Sequence, residues 1–75
     1  MDYSEWLEKE KGLSHKVSHD VNSRLRRVCQ ILSSENIDDK TLALLEANAN
    51  FRSLSMTVKS QLRRSVRLYI EYQAK

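Results

Sequence analysis

Hydrophobic residues recur at helical spacing in four stretches of the chain, and polar residues bound each stretch. One stripe repeats at steps of four, four, three and four and consists of Val17, Val21, Leu25, Val28 and Leu32. A later stripe consists of Val58, Leu62, Val66, Tyr69 and Ile70. Such spacing places side chains on one face of a helix. The pattern therefore predicts four helices, over roughly residues 3–11, 15–33, 39–49 and 56–73.

Capping residues stand where these helices are expected to begin and end. Asp2 with Glu5 three residues later fits a capping box, and Gly12 is placed to end the first helix. Ser14 and Ser55 are the expected N-caps of the second and fourth helices. These signals agree with the boundaries that the hydrophobic stripes indicate.

The third segment is expected to open at Asp38. Ile37 before it and Leu42 after it can form a hydrophobic staple. Leu42, Leu45 and Ala49 are expected to face inward. The segment is therefore interpreted as one short amphipathic helix.

The second and fourth segments begin alike. Leu13-Ser14-x-x-Val17 returns as Leu54-Ser55-x-x-Val58. Two interpretations stay open: either any two capped amphipathic helices look alike, or the pair forms two pseudo-symmetric helix hairpins with both helix starts on one surface. Two matched starts are too few for a repeat protein, which needs at least three units.

Composition narrows the fold class to a single all-α domain over residues 1–75. Glycine occurs once and proline never, whereas strand-and-turn architectures need these residues at their turns. Hydrophobic residues make up 40% of the 75 residues, enough for one core. The chain is too short for a cleft between two domains or a doubly wound nucleotide-binding sheet. The expected architecture is a four-helix orthogonal bundle.

Catalytic and metal-binding signals are weak. Cys29 lies at the edge of an apolar stripe, where a thiol is usually inert packing. His15 and His19 have the i, i+4 spacing that can hold a metal, but Asp20, the nearest further ligand, points about 100° away from His19. No glycine-rich phosphate loop is present. We expect no enzymatic activity, no metal and no cofactor.

Charge is segregated along the chain, whose formal net charge is +3. The first segment is net acidic, and most of the basic residues lie later, among them Arg24, Arg26, Arg27, Arg52, Lys59, Arg63, Arg64, Arg67 and Lys75. Glu71 can pair with Arg67 four residues earlier. Such asymmetry indicates a face that binds a polyanion, and arginine suits phosphate and guanine contacts. The alternative is a solvated face with salt bridges to the first and third segments.

These residues resemble a known family, the N-terminal core-binding domain of phage integrases and other tyrosine recombinases, a SAM-like four-helix module. The family often opens with an aromatic-x-x-Trp-Leu helix, matched by Tyr3, Trp6 and Leu7. Its Gly-Leu-Ser-x-x-Thr helix is matched by Gly12, Leu13, Ser14, Val17, Val21, Leu25 and Val28. Its last helix is matched by Ser55, Val58, Val66, Arg67, Tyr69 and Tyr72. The resemblance covers almost the whole chain and implies binding of duplex DNA.

The chain departs from that family in two respects. Val17 and Val58 replace the threonines of both Ser-x-x-Thr motifs, so that two hydroxyl groups near the DNA are lost. The family's catalytic half is also missing: the chain contains no His-x-x-Arg, and Tyr69 and Tyr72 lack the arginines that activate a tyrosine nucleophile. The resemblance therefore implies DNA binding without recombination.

The sequence thus predicts a cytoplasmic, non-catalytic module that binds duplex DNA and no membrane. The helix starts and the basic side chains would contact DNA, through Ser14, Lys16, Arg52, Ser55, Lys59, Arg63, Arg64 and Arg67. The module could be a piece of a parent recombinase or nuclease, or stand alone. The second hypothesis is a small helical module that docks a protein partner. Binding of generic duplex DNA at two salt concentrations would discriminate the two.

Overall fold

Five helices form where the sequence predicts four. The computed structural model describes residues 2–74, and in that part it contains helices and no strand. The helices are α1 (Tyr3–Lys11), α2 (His15–Leu32), α3 (Thr41–Ala47), α4 (Ala49–Arg52) and α5 (Met56–Gln73). The all-α class is confirmed. Four of the helices have seven or more residues, whereas the SAM-like arrangement of the bundle stays a prediction.

The predicted caps of the long helices are in place. Asp2 accepts a hydrogen bond from the Glu5 N–H at 2.8 Å, and Gly12 ends α1 with a left-handed φ of 65°. The Ser14 and Ser55 hydroxyls accept from the N–H groups three residues later, at 3.2 and 3.3 Å. The two serines have nearly the same backbone angles, φ −67° and ψ 161° against φ −66° and ψ 158°. The two long helices therefore begin in the same way.

The prediction of one helix over 39–49 is wrong, because the chain breaks at Asn48. Its backbone is extended, with ψ 127°, which ends α3 and starts α4. The Asn48 side chain holds both sides of the break: its oxygen accepts from the Phe51 N–H at 3.1 Å, and its amide donates to the Ile31 carbonyl at 3.4 Å. α3 also begins later than expected, at Thr41, whose hydroxyl accepts from the Asp38 N–H at 2.9 Å.

The core lies between α2 and α5, with α1 packed against both and α3 and α4 closing one side. Its buried apolar side chains are Tyr3, Trp6, Leu7, Val21, Leu25, Val28, Ile37, Leu45, Phe51, Leu62 and Val66. Two expectations fail. Val17 is 37% exposed, and the adjacent Ser18 is buried instead. Ala49 is exposed, and the buried residue of that segment is Phe51.

Aromatic rings join the first helix to the last. The Tyr3 ring meets the Tyr69 ring nearly edge-on, with centroids 5.0 Å apart, and lies 5.5 Å from the Tyr72 ring. The Trp6 ring is also 5.5 Å from Tyr72. Aromatic pairs at such separations favour edge and offset contacts. This cluster fixes α1 along the C-terminal half of α5.

None of the helices described for residues 2–74 combines the length and the apolar character needed to cross a membrane.

Candidate nucleic-acid interface

The eight residues predicted to bind DNA fall into three groups in the structure. Ser14 and Lys16 lie at the start of α2, and Arg52 ends α4. Ser55 caps α5, and the remaining four lie along it: Lys59, Arg63, Arg64 and Arg67. Lys59 and Arg63 are half-buried, and the other six residues are exposed. All eight side chains therefore reach solvent at least in part.

The two capping serines keep part of their hydrogen-bonding capacity. Each uses one acceptor position of its hydroxyl for the helix cap. A hydroxyl has a second acceptor position and one donor. Ser14 and Ser55 are both exposed, so their O–H groups can still donate to an anion.

The two helix starts have different neighbours. At the start of α2, the imidazole of His15 lies 3.4 Å from the Glu8 carboxylate on α1. Before α5, the Leu54 N–H donates to the Phe51 carbonyl on α4 at 3.0 Å. These contacts join each start to a different helix and do not join the two starts to each other.

Arg63 is held by an acidic residue from another helix. Its Nε donates to one carboxylate oxygen of Glu46 on α3, and its Nη2 donates to the other at 3.1 Å. The guanidinium also lies over the buried Phe51 ring, 5.4 Å from the centroid. The hydrogen bonds that Arg63 donates to Glu46 raise the pKa of Arg63. Arg63 therefore carries a positive charge, and the Glu46 carboxylate already neutralises it.

Glu46 lies among three basic residues of α5. The hydrogen bond from Arg63 holds the pKa of Glu46 below its usual range, and the positive charges of Lys59 and Arg67 lower it further. Lys59, Arg63 and Arg67 follow one another at steps of four, so they share one flank of α5. We call these three residues and Glu46 the Glu46 cluster. The sequence leaves salt bridges to the third segment open as an alternative, but it does not single out Glu46, because the acid and the bases lie on different helices.

Arg64 and Arg67 are exposed on the outer face of α5. Within residues 2–74, neither of them forms a salt bridge. The expected pair of Arg67 with Glu71 is wrong: Glu71 pairs with Lys11 on α1, whose ammonium also lies over the Trp6 ring, 5.6 Å from the centroid. These two arginines are thus the basic side chains of α5 best placed to meet an external anion.

A second basic strip runs along α2. Its exposed side opposite the core carries Lys16, His19, Arg26 and Arg27. Steps of three and four along this side also bring in Ser23, Gln30 and the half-buried Asp20, which lies four residues after Lys16 and three before Ser23. The arginines of α2 were recognised as part of the charge pattern but were not assigned to the site. Their periodicity was the signal that could have assigned them.

Among the described residues, no three His, Cys, Asp or Glu side chains come together as metal ligands. Cys29 is half-buried, and burial raises the pKa of its thiol. A raised pKa keeps sulfur in its less nucleophilic thiol form.

Comparison of the chain with protein-family models, curated proteins and solved structures found no match. The likeness to the core-binding domain of tyrosine recombinases remains a prediction from the sequence.

Proposed function

We propose that this protein is a non-catalytic module that binds duplex DNA through the outer face of α5. The observation that carries the proposal is the exposure of Arg64 and Arg67 on one helix face, with no salt bridge to residues 2–74. Guanidinium groups that form no internal salt bridge are suited to phosphate, which they bind with two parallel hydrogen bonds.

The spacing of basic residues on α2 makes it a separate candidate for contact with a long polyanion rather than with a single small ion. Lys16 and Arg27 lie eleven residues apart on the outer side of α2, or about 16 Å at the rise of a helix. Arg64 and Arg67 add a second pair on α5. Duplex DNA carries about one charge per 1.7 Å of its axis, so phosphates can meet basic groups along such a length.

A parent protein would supply any chemistry. The resemblance to the core-binding domain suggests a recombinase, and a nuclease could use the same module. In either case the module would position DNA, because phosphate contacts fix orientation without reading sequence.

The test is a fluorescence-anisotropy titration of a labelled duplex at several salt concentrations. If about four basic side chains contact phosphates, log affinity should fall with log salt at a slope near −3.6, from roughly −0.9 per contact. The double variant Arg64→Ala/Arg67→Ala should flatten the slope by about 1.8. Alanine favours helix, so its circular dichroism spectrum should match that of the unchanged protein.

The matched control is Lys9→Ala/Lys40→Ala, which removes the same charge from exposed positions outside α2 and α5. It should keep the original slope. Absence of salt-dependent binding at low salt would overturn the proposal. Equal slopes for the two double variants would mean that DNA meets a different face.

A second candidate function is docking of a protein partner. Leu44 on α3 is 61% exposed and Met56 at the start of α5 is 83% exposed, although both side chains are apolar. Apolar side chains left in water can form the centre of a protein interface. This candidate takes precedence if the titration shows no DNA binding.

A further inference from the structure

We infer that Glu46 is a built-in competitor for DNA: its carboxylate occupies the place of a phosphate among Lys59, Arg63 and Arg67. This inference rests on the proposed function and concerns the regulation of that same surface. It assigns to the Glu46 cluster the role of a resident anion that limits affinity.

Arg63 holds the Glu46 carboxylate with the geometry in which an arginine binds an anionic ligand. Both carboxylate oxygens are used, one by Nε and one by Nη2 of the same guanidinium. The arginine fork binds phosphate in the same two-pronged manner. A phosphate oxygen pair can therefore replace the carboxylate without a change in the arginine's position.

Two further cationic side chains, Lys59 and Arg67, complete the anion-binding site around Glu46. Lys59 and Arg67 flank Arg63 at one helical turn on either side. Both lie near enough to Glu46 for their charges to lower its pKa. Three cations around one carboxylate leave a surplus of positive charge, which attracts a further anion.

The contact is also exchangeable. Glu46 retains 49% of its side-chain exposure and Arg63 retains 30%. Exposed ion pairs are weak, because water and salt screen them. Arg63 in addition lies over the Phe51 ring, which keeps the guanidinium in place when the carboxylate leaves.

The experiment compares Glu46→Gln with the unchanged protein in the anisotropy titration. Glutamine keeps the size of the side chain and removes its charge. Binding should become tighter and the salt slope steeper by about 0.9, which is one additional phosphate contact. The affinity ratio of variant to unchanged protein should then grow about eightfold for each tenfold decrease in salt. Glu46→Ala should give the same direction of change with a residue that favours helix.

The control is Glu10→Gln, which changes the net charge equally at an exposed position on α1. It should leave the slope unchanged. An equal gain in both variants would overturn the inference, because a general charge effect would then explain it. So would a Glu46→Gln slope equal to that of the unchanged protein.

These outcomes separate the inference from the proposed function. If the Arg64→Ala/Arg67→Ala slope is flatter but Glu46→Gln has no effect, DNA binding stands and the competitor role fails. If only Glu46→Gln binds DNA, the competitor role stands and the unchanged protein is not itself a DNA-binding module. If neither binds, both fail.

Discussion

The phenol of Tyr3 on α1 donates a hydrogen bond of 3.0 Å to the backbone carbonyl of Ser65 on α5, 62 positions later in the chain. Both residues are buried. The same ring packs against Tyr69, so one side chain supplies a polar and an aromatic link between the two helices. Loss of the hydroxyl and loss of the ring should therefore have separable effects.

Tyr3→Phe removes the hydroxyl and keeps the ring. We expect a loss of about 0.5–1.5 kcal/mol in the free energy of unfolding, the usual net worth of one hydrogen bond. Urea denaturation followed by circular dichroism measures it. Tyr3→Ala serves for comparison and should cost more, because it also leaves a cavity. Equal losses in the two variants would mean that the ring contributes little.

Alkaline pH should destabilise the protein through the same residue. Burial raises the pKa of Tyr3 well above its usual value, and the neighbouring Tyr69 raises it further. Its contribution to stability is complete below the unfolded value of about 10 and is lost as the pH rises above it, because the unfolded chain ionises first. The stability advantage over Tyr3→Phe should thus begin to shrink near pH 10 and continue to shrink as the pH rises further toward the raised pKa of the folded state. A constant advantage across that range would contradict the burial of the phenol.

Leu25→Ala should cost about 2–5 kcal/mol in unfolding free energy. Leu25 lies in the middle of α2 and is 7% exposed. Val17→Ala on the same helix is the control and should have a much smaller effect, since Val17 is 37% exposed. Chemical denaturation of both variants gives the comparison, and a Leu25→Ala midpoint near that of the unchanged protein would place this stripe outside the core.

Phe51→Ala should lower the free energy of unfolding by a similar amount to Leu25→Ala, about 3–5 kcal/mol. The ring is fully buried although its helix has only four residues. The variant also removes the surface over which Arg63 lies. Thermal unfolding measures the effect, with Leu44→Ala as a control, since Leu44 is 61% exposed. A melting temperature close to that of the control would show that α4 is peripheral to the fold.

Sequence periodicity predicted the long helices well, because each carries both a stripe and a cap. Ser14 and Ser55 mark the starts of α2 and α5, and the buried Leu25 and Leu62 lie where the stripes place them. Periodicity gives the direction of a face, but not how far a neighbouring helix covers it. Val17 continues the stripe of α2 and is nevertheless exposed.

The segment between the long helices was harder to predict. The helix predicted over 39–49 would have Asn48 at its end, whereas the Asn48 side chain caps the next helix. A single asparagine fits both positions, since it is tolerated at either end of a helix. Phe51 lies outside the predicted stripe, so its burial follows only from the break that Asn48 makes.

The sequence predicts the basic residues of the candidate site, whose role stays a prediction. It allows for salt bridges to the first and third segments without identifying the residues that form them. Helical spacing suggests Glu71 as the partner of Arg67, whereas in the structure Glu71 forms a salt bridge with Lys11. Arg63 likewise finds Glu46, 17 positions away on another helix. Such ion pairs depend on how the helices pack against one another. The spacing of residues within one helix carries no information about that packing.

The contact between Tyr3 and the end of α5 has a consequence for the order of folding. The rings of Tyr69 and Tyr72 that pack against Tyr3 lie more than 60 positions later in the sequence. Such a contact closes a long loop, and the entropy of loop closure must be overcome before the contact stabilises the fold. We therefore expect this link between α1 and α5 to form late in folding, after contacts between residues that are close in sequence.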